Sequence, residues 1–289
     1  MILEKGNLPG EFPMKRLTIL LLLVLPLTHG LLLGQFQPGE IAQREQWEEF
    51  LKTADIVKSG LIGEGVTNPW KLYLRKGAVE RKGAWKGIDE RHGDFADSWK
   101  YEIAAYRIDK LIGLNMVPPT VEREFKGKRG DLSLWIENRG SLLDVEEKKI
   151  PIPDWAQASI NDMKYVSRLW ACLVANDDLT QQNILITEDW RTILIDHSRA
   201  FRWTKKFTEK LIYGAHGIKT LEDGRPILFR RVPRRLVDSI KALDFASIKQ
   251  AVGPYLTDQE IAAVVARKKL ILDEIDEMVK QQGEDKVLY

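Results

Sequence analysis

The chain has 289 residues, of which 44% are hydrophobic and 30% are charged. It is long enough to bury a core and to form one two-lobed domain or two small domains. Its formal net charge of +2 indicates no particular polyanionic partner, and we expect no binding to nucleic acid. The single cysteine, Cys172, excludes an intramolecular disulfide, and its apolar neighbours predict a packed thiol.

Residues 1–34 have the features of an export signal. A basic pair precedes an apolar run from Leu17 to Pro26, and small residues follow, as in a signal peptide with Met14 as a candidate start. Because apolar residues resume at Leu31 and no A-x-A cleavage site follows, an uncleaved anchor in contact with a membrane through residues 17–34 is the alternative. A buried core helix is a third reading. Both of the first two place the domain outside the cytoplasm, either exported to the periplasm, the extracellular space or a secretory lumen, or anchored to the membrane.

Residues 35–53 form a polar linker with a short predicted helix from Ile41 to Leu51. Three segments with alternating or β-branched apolar residues then predict a small antiparallel sheet: Asp55 to Ile62, Trp70 to Arg75 and Ala78 to Ile88. The turn between the first two, from Gly63 to Pro69, is either a plain hairpin or a loop whose backbone N–H groups bind phosphate, with Gly65 and Thr67 as candidates.

The third predicted strand carries Lys86 among apolar neighbours. A lysine that faces inward needs an anionic partner to offset its lost hydration. The next predicted helix, from Asp97 to Gly113, has an Asp or Ser N-cap, an apolar stripe and a glycine stop. Glu102 lies one position from that stripe, so it can face the sheet and pair with Lys86. The alternative leaves both side chains on the surface.

A long amphipathic helix is predicted from Ala156 to Val174. It leads into a polar loop that presents Asp178 and Asn183, and a short apolar strand from Thr192 then ends at Asp196. Phosphoryl transfer needs an acid beside the attacking hydroxyl and oxygen ligands for the magnesium that bridges the nucleotide phosphates. These three side chains supply both kinds of group.

The remainder is basic and then helical. Arg202 to Arg235 is either a site for an acidic peptide or phosphorylated group or, as we favour, a solvated face. Three helices follow at Leu236 to Ala242, Phe245 to Val252 and Thr257 to Gln282, the last opening with a capping box.

These motifs resemble those of atypical kinases. The step from Asp178 to Asn183 matches the protein-kinase loop H-R-D-x-x-x-x-N, with Asp196 in the place of the magnesium-binding Asp. Asn176-Asp-Asp-Leu-Thr-Gln-Gln-Asn183 resembles the N-x-D-R-x-x-x-N loop of phosphatidylinositol 3- and 4-kinases and of secretory-pathway casein kinases, except that Leu179 replaces the usual Arg. Ile195-Asp-His-Ser-Arg-Ala-Phe201 resembles their I-D-F/H-x-x-x-F segment.

A second stretch extends the resemblance to a bacterial exported branch of kinase-like proteins. It is the run E-x-A-A-Y-R-x-D-x-L-x-G-L-x-x-V-P-P-T-V-x-R, which begins at Glu102. The resemblance implies an α+β, two-lobed protein-kinase-like fold, with a small antiparallel-sheet N-lobe of about residues 54–137 and a mostly helical C-lobe of about residues 138–289.

The resemblance also implies ATP and Mg²⁺ or Mn²⁺ as cofactors. Each candidate residue then has a role: Asp178 orients or deprotonates the acceptor hydroxyl, Asn183 and Asp196 hold the metal, Lys86 paired with Glu102 holds the phosphates, and backbone groups near Glu137 bind adenine.

The acceptor stays open, since a hydroxyl of a protein, a lipid or a small molecule suits the same phosphate-binding groups. The alternative function is a catalytically inactive pseudokinase that serves as a nucleotide- or protein-binding domain, which Leu179 and export both favour. A third possibility, hydrolysis without nucleotide, leaves Lys86 and Glu102 unexplained.

Overall fold

The computed structural model describes residues 36–63 and 69–289. The expected signal or anchor in residues 1–34, and the candidate phosphate-binding residues Gly65 and Thr67, lie outside the described residues. Within the described ranges, no helix is both long and apolar enough to cross a bilayer.

The described residues of the N-terminal half form seven strands and three helices. In chain order they are α1 (Pro38–Ala42), α2 (Arg44–Thr53), β1 (Asp55–Leu61), β2 (Trp70–Lys76), β3 (Val79–Lys86), β4 (Asp89–His92), β5 (Phe95–Ser98), α3 (Trp99–Ile112), β6 (Thr120–Phe125) and β7 (Lys128–Leu134).

The C-terminal half is mostly helical. Its elements are β8 (Asn138–Ser141), α4 (Leu142–Glu147), α5 (Asp154–Val174), β9 (Ile184–Thr187), β10 (Thr192–Leu194), α6 (Lys205–Glu209), α7 (Arg234–Ala242), α8 (Phe245–Val252), α9 (Asp258–Gln282) and α10 (Glu284–Val287). Short 3₁₀ helices lie at Gln181–Asn183 and Gly253–Tyr255.

A five-stranded antiparallel sheet forms the first half, in the order β1-β2-β3-β7-β6. The β3–β7 pairing sets Trp85 opposite Leu132 and Lys86 opposite Asp131. Gly130 makes this pairing possible, because a Cβ there would lie 2.1 Å from the Lys86 carbonyl oxygen and 2.7 Å from the Trp85 ring. Because adjacent residues of β3 point to opposite faces, Trp85 is buried in the sheet's core while Lys86 contacts Glu102 on α3.

The helix α3 packs across this sheet. Ser98, not Asp97, is its N-cap and accepts a hydrogen bond from the Lys100 N–H, and Gly113 ends the helix at a φ of +66°. The predicted apolar stripe is buried, as are most of its neighbours. An N-cap stabilises a helix by about 1 kcal/mol, whereas each buried apolar side chain contributes about 1.5–3 kcal/mol. Packing therefore stabilises α3 far more than its cap does.

The sequence-based boundaries differ from the structure at several elements. The first predicted helix is two helices with a break at Gln43. The strand β7 ends at Leu134, and the chain then enters a separate three-stranded sheet of order β10-β9-β8 that the sequence did not predict. The β4–β5 hairpin was not predicted, because β4 is exposed on both faces and has no apolar alternation.

The fold is α+β, with a small antiparallel sheet in the first half and helices in the second. The long α5 packs against α9, and both bury apolar faces in one core that also receives α3. Thr257 begins α9 with the expected capping box. The end of β10 lies beside the segment that follows α3, where the Leu194 N–H donates to the Met116 carbonyl at 2.9 Å.

Candidate functional site

Lys86 and Glu102 form the predicted pair. The Lys86 Nζ lies 2.6 Å from Glu102 Oε1 and 2.8 Å from Asp196 Oδ1, with only 13% of the Lys86 side chain and 6% of the Glu102 side chain exposed. Burial alone would lower the pKa of Lys86, but the carboxylates of Glu102 and Asp196 outweigh it and raise that pKa. Lys86 is therefore a buried cation, and the alternative in which it points outward is excluded.

Glu102 also connects to the segment after β10. Its Oε2 accepts a hydrogen bond from the His197 backbone N–H at 3.0 Å. The buried His197 ring accepts from Trp170 Nε1 through Nε2 at 2.9 Å, which leaves the ring proton on Nδ1, 3.6 Å from Glu102 Oε2. Burial raises the pKa of Glu102, but Lys86 and His197 outweigh it, and the pKa is lowered. Glu102 thus remains ionised.

Asn176 holds the two acidic segments together. The helix α5 ends at Val174, and the left-handed Ala175, with φ +48°, turns the chain. The buried Asn176 side chain then donates from Nδ2 to the Asp196 carbonyl at 3.0 Å and accepts from the Asp178 N–H at 3.2 Å. In the sequence, Asn176 is only the first residue of the loop motif. Its role in holding the two acidic segments together is seen only in the structure.

Asn183 and Asp196 each have a side-chain oxygen that could hold a metal ion. Asn183 Nδ2 donates to the Asp178 carbonyl at 3.0 Å, and its own carbonyl accepts from Ile195 N–H at 3.0 Å. Asp196 has a left-handed φ of +63°, and its Oδ1 contacts Lys86 and Ser198 Oγ. Among the described residues, neither Asn183 Oδ1 nor Asp196 Oδ2 accepts a hydrogen bond. Two hard oxygen donors are thus free.

Asp178 is half exposed beside a guanidinium group. Its Oδ2 lies 3.4 Å from Arg199 Nη1, and 51% of its side chain is exposed. Partial burial and the charges of Asp196 and Asp177 raise the pKa of Asp178, against the opposing effect of Arg199. Leu179, in the place of the motif's Arg, is buried in the main core. Arg199 therefore supplies a positive charge beside this loop, where the motif would have the Arg that Leu179 replaces.

Asp131 is a third carboxyl group at the pair that the sequence did not point out. It is 1% exposed and lies opposite Lys86 on β7, and its Oδ1 has no hydrogen-bond partner within residues 36–63 and 69–289. Burial, together with the negative charge of Glu102, raises its pKa well above the ordinary value. No motif in the sequence marks this residue.

Glu137 lies in the segment that joins the two sheets. Its exposed side chain pairs with Lys82, and the Trp135 N–H donates to the Lys82 carbonyl at 2.9 Å. The backbone of Glu137 makes no hydrogen bond in the part of the chain that the structure describes. Its role in adenine binding stays a prediction.

The structure thus brings five of the predicted residues into one connected network. Lys86, Glu102 and Asp196 touch directly, and Asp178 and Asn183 join them through Asn176 and through backbone hydrogen bonds. A cavity of about 420 Å³ between α4 and α5 is lined by none of the predicted site residues. In the described part of the chain, no cluster of three His, Cys, Asp or Glu residues could hold a metal ion. A cation would therefore need ligands beyond the protein's carboxylates.

No protein-family model matches the sequence, and neither does any curated protein. Solved structures do match. Hydra Fam20 with sugar has a TM-score of 0.58 and is 14% identical, over 86% of this chain and 92% of that one. The Helicobacter pylori proinflammatory kinase CtkA has a TM-score of 0.50 and is 12% identical, over 81% of this chain and 97% of that one. The chain has an atypical-kinase-like fold.

The atypical-kinase-like fold confirms the fold class that the motifs predicted. At these identities the likeness concerns the fold, so the roles of individual residues depend on the geometry in this chain. In this fold, β3 carries Lys86, α3 carries Glu102, and the loops after α5 and β10 carry Asp178 and Asp196. The lobe boundary at residues 137 and 138 remains a prediction.

Proposed function

We propose that the protein is an ATP- and divalent-metal-dependent phosphotransferase of the atypical kinase type that acts on a hydroxyl acceptor. One observation carries this proposal. The buried Lys86 contacts both Glu102, at 2.6 Å, and Asp196, at 2.8 Å. A buried ion pair of this kind adds little to stability, because each buried ion loses several kcal/mol of hydration, about as much as the pairing returns. Its presence is therefore better explained by a role in a site.

ATP binding follows from this pair in the proposal. Lys86, held by Glu102, binds the α- and β-phosphates. The backbone near Glu137 binds adenine, and the assignment of Gly65 and Thr67 to the phosphates rests on the sequence, since both lie outside the described residues. Because Lys86 stays protonated, its charge is available to the nucleotide at neutral pH.

Asn183 and Asp196 fit a hard divalent cation, either Mg²⁺ or Mn²⁺. Asn183 Oδ1 and Asp196 Oδ2 are oxygen atoms without hydrogen-bond partners among the described residues. Mg²⁺ takes one or two protein oxygens and completes its octahedral shell with phosphate oxygens and waters, so a third protein carboxylate is not required. When bound, the ion offsets the negative charge of the nucleotide phosphates.

Asp178 orients the acceptor hydroxyl and takes its proton. The acceptor oxygen forms a bond to the terminal phosphorus, the bond from that phosphorus to the bridging oxygen breaks, and ADP leaves. Its half-exposed side chain is open to an acceptor, and its raised pKa suits a proton acceptor. The acceptor is a hydroxyl of a protein, a lipid or a small molecule.

Export is part of the proposal. Residues 1–34 would direct the chain across a membrane, as a cleaved signal or as an anchor that keeps contact through residues 17–34. The domain would then act in an exported compartment.

A pseudokinase is the second candidate. The replacement of the motif's Arg by the buried Leu179 favours it. Against it, Arg199 lies beside Asp178 and Asn176 fastens the loop, so the loop is ordered without that Arg. The two candidates differ in turnover and need not differ in nucleotide binding.

The deciding experiment is a thermal-shift titration of the purified full chain with ATP and Mg²⁺ or Mn²⁺. A ligand that binds only the folded state raises the melting temperature with its concentration. We expect a metal-dependent rise that the Asp196→Ala variant loses, while the Asp178→Asn variant keeps the rise but transfers no phosphate from radiolabelled ATP. If the melting temperature does not respond to nucleotide, the proposed function is wrong. If wild-type protein binds ATP with metal but neither hydrolyses nor transfers phosphate, the pseudokinase is correct.

A further inference from the structure

Arg199 has one firm contact and one loose contact. Its Nε donates to Asp97 Oδ2 at 2.8 Å, whereas its Nη1 approaches Asp178 Oδ2 at only 3.4 Å. Its Nη2 donates to no group in the described part of the chain, and 35% of its side chain is exposed. The guanidinium group is therefore held on one edge while its other edge is open to a ligand.

Asp97 determines where this guanidinium lies. Asp97 is 2% exposed, and it sits near the end of β5, where the next residue, Ser98, donates from its N–H to the Ser198 carbonyl at 2.8 Å. That backbone bond fixes the segment after Asp196 against the hairpin, independently of any ligand. Asp97 and Arg199 are then a buried carboxylate and a partly buried cation, and such pairs hold a fixed geometry.

The rest of the β4–β5 hairpin strengthens this attachment. The Arg202 guanidinium carbon lies 4.3 Å from the centre of the Phe95 ring, and that of Arg91 lies 4.6 Å from the centre of the Trp203 ring. Cation–π contacts of this kind contribute about 0.5–1 kcal/mol each at exposed sites. The hairpin therefore holds residues 198–203 at several points, and Arg199 lies in the middle of the part that it holds.

The charges around Arg199 indicate what its open edge binds. The negative charges of Asp178 and Asp196 both raise the pKa of Arg199, after the larger effect of its hydrogen bond to Asp97. Arg199 thus lies beside the proposed proton acceptor, and it follows the proposed metal ligand by three residues along the chain. In the proposed reaction a phosphoryl group moves from a nucleotide held near Asp196 to a hydroxyl held near Asp178, and Arg199 lies beside Asp178, where that transfer ends. A further cation beside Asp178, in addition to Lys86 and the proposed metal ion at Asp196, offsets the repulsion between the Asp178 carboxylate and the phosphoryl oxygens.

We infer that Arg199 is a catalytic residue that binds the terminal phosphoryl group of the nucleotide, with Asp97 as the residue that positions it. This inference rests on the proposed function. Nη1 and Nη2 bind two equatorial oxygens of the terminal phosphate, and the weak contact with Asp178 is released, which frees Asp178 for the acceptor hydroxyl. An arginine in this place stabilises the charge that spreads over the phosphoryl oxygens during transfer.

The test compares two ligands that differ by the terminal phosphate, ADP and the non-hydrolysable analogue AMP-PNP, each with Mg²⁺. Their affinities are measured by calorimetry on the full chain and on four variants: Arg199→Ala, Arg199→Lys, Asp97→Asn and, as a control, Arg234→Ala. Arg234 is a half-exposed arginine on α7 that pairs with Glu284, so its loss matches the change in charge without touching the site.

We expect Arg199→Ala to weaken AMP-PNP binding by about 10-fold, the value of a charge-assisted hydrogen bond, and to leave ADP binding within about 2-fold. Turnover should fall by about 10³-fold and recover in part when guanidinium is added, which a purely structural role would not produce. Arg199→Lys and Asp97→Asn should give smaller losses in the same direction, and the control should give none.

Equal weakening of ADP and AMP-PNP in Arg199→Ala, or no weakening of either, overturns the inference and leaves the proposed function intact. If Arg199→Ala does not fold, an unchanged AMP-PNP to ADP ratio in both Arg199→Lys and Asp97→Asn overturns it. Wild-type protein that binds neither nucleotide overturns the proposed function, and the inference fails with it. If the wild-type protein binds AMP-PNP but transfers no phosphate, the catalytic role of Arg199 is wrong. The ratio of AMP-PNP to ADP affinity then decides whether Arg199 binds the terminal phosphate.

Discussion

Asn176 and Asp196 are joined by a hydrogen bond of 3.0 Å, from the Asn176 amide to the Asp196 carbonyl, in a site where Asn176 is almost fully buried. The same side chain accepts from the Asp178 N–H. One amide thus sets the spacing between the loop of the proposed proton acceptor and the loop of the proposed metal ligand.

Replacement of Asn176 should separate these two loops. The Asn176→Ala variant leaves the Asp178 N–H and the Asp196 carbonyl without this partner in a partly buried site, and the loss should cost about 1–3 kcal/mol of unfolding free energy in total. We expect a loss of this size by urea denaturation and a loss of metal-dependent nucleotide binding. Asn161→Ala, at an exposed position of the same helix α5, should change stability by less than about 0.5 kcal/mol. Equal effects of the two changes would contradict the role given to Asn176.

Gly130 should tolerate no side chain. In the Gly130→Ala variant the new Cβ would lie 2.1 Å from the Lys86 carbonyl oxygen, so β3 and β7 must separate and Lys86 must move. Overpacking of this kind costs about 1–3 kcal/mol, and we expect weaker ATP binding in calorimetry as well. The matched control is Gly60→Ala on β1, where a Cβ would meet nothing within 4 Å. A Gly130→Ala variant that binds ATP as tightly as the control would show that this close approach does not position Lys86.

The buried Asp131 predicts a pH dependence of stability. Burial and the charge of Glu102 raise its pKa well above the ordinary 3.8, so the folded chain keeps a proton that the unfolded chain releases. Its contribution to stability is complete below pH 3.8 and is lost as the pH rises through the folded pKa. The unfolding free energy of the wild type, minus that of Asp131→Asn, should therefore fall as the pH increases above 4.

Urea denaturation between about pH 4 and pH 8 measures this difference. Asp55→Asn, at an exposed position of β1, shows how much any Asp→Asn change alters the profile. A difference that grows with pH would mean that Asp131 is ionised in the folded chain.

Cys172 should be unreactive in the folded protein. The thiol is buried and contacts the Tyr213 backbone, and burial raises its pKa to about 12. Because the thiolate is the reactive form, raising the pH from 7 to 9 should leave iodoacetamide labelling of the folded chain negligible. In denaturant the same change should speed labelling strongly. Fast labelling of native protein would show that α5 opens at this position.

The local features of the fold were predictable from the sequence because neighbours in the chain determine them. The helix α8 begins and ends where its apolar spacing predicts, Gly113 ends α3, and the Thr257 capping box begins α9. The loop motif is also local, since Asp178 and Asn183 are only five positions apart in the sequence. The Lys86–Glu102 contact was predictable because Lys86 lies among apolar residues of a strand and Glu102 lies beside the apolar stripe of a helix, so both could face the core.

The sequence alone determined the α+β class, the kinase-like order of motifs and the candidate residues. Only the tertiary structure decided that Asp131 lies against Lys86, that Asn176 joins the two acidic loops, and that Asp97 holds Arg199 beside Asp178. Arg199 and Asp97 are 102 residues apart in the sequence. The polar β4–β5 hairpin has no alternation of apolar residues from which it could be predicted. Such contacts depend on how the packed elements bring distant loops together, and no local pattern of residue types records that arrangement.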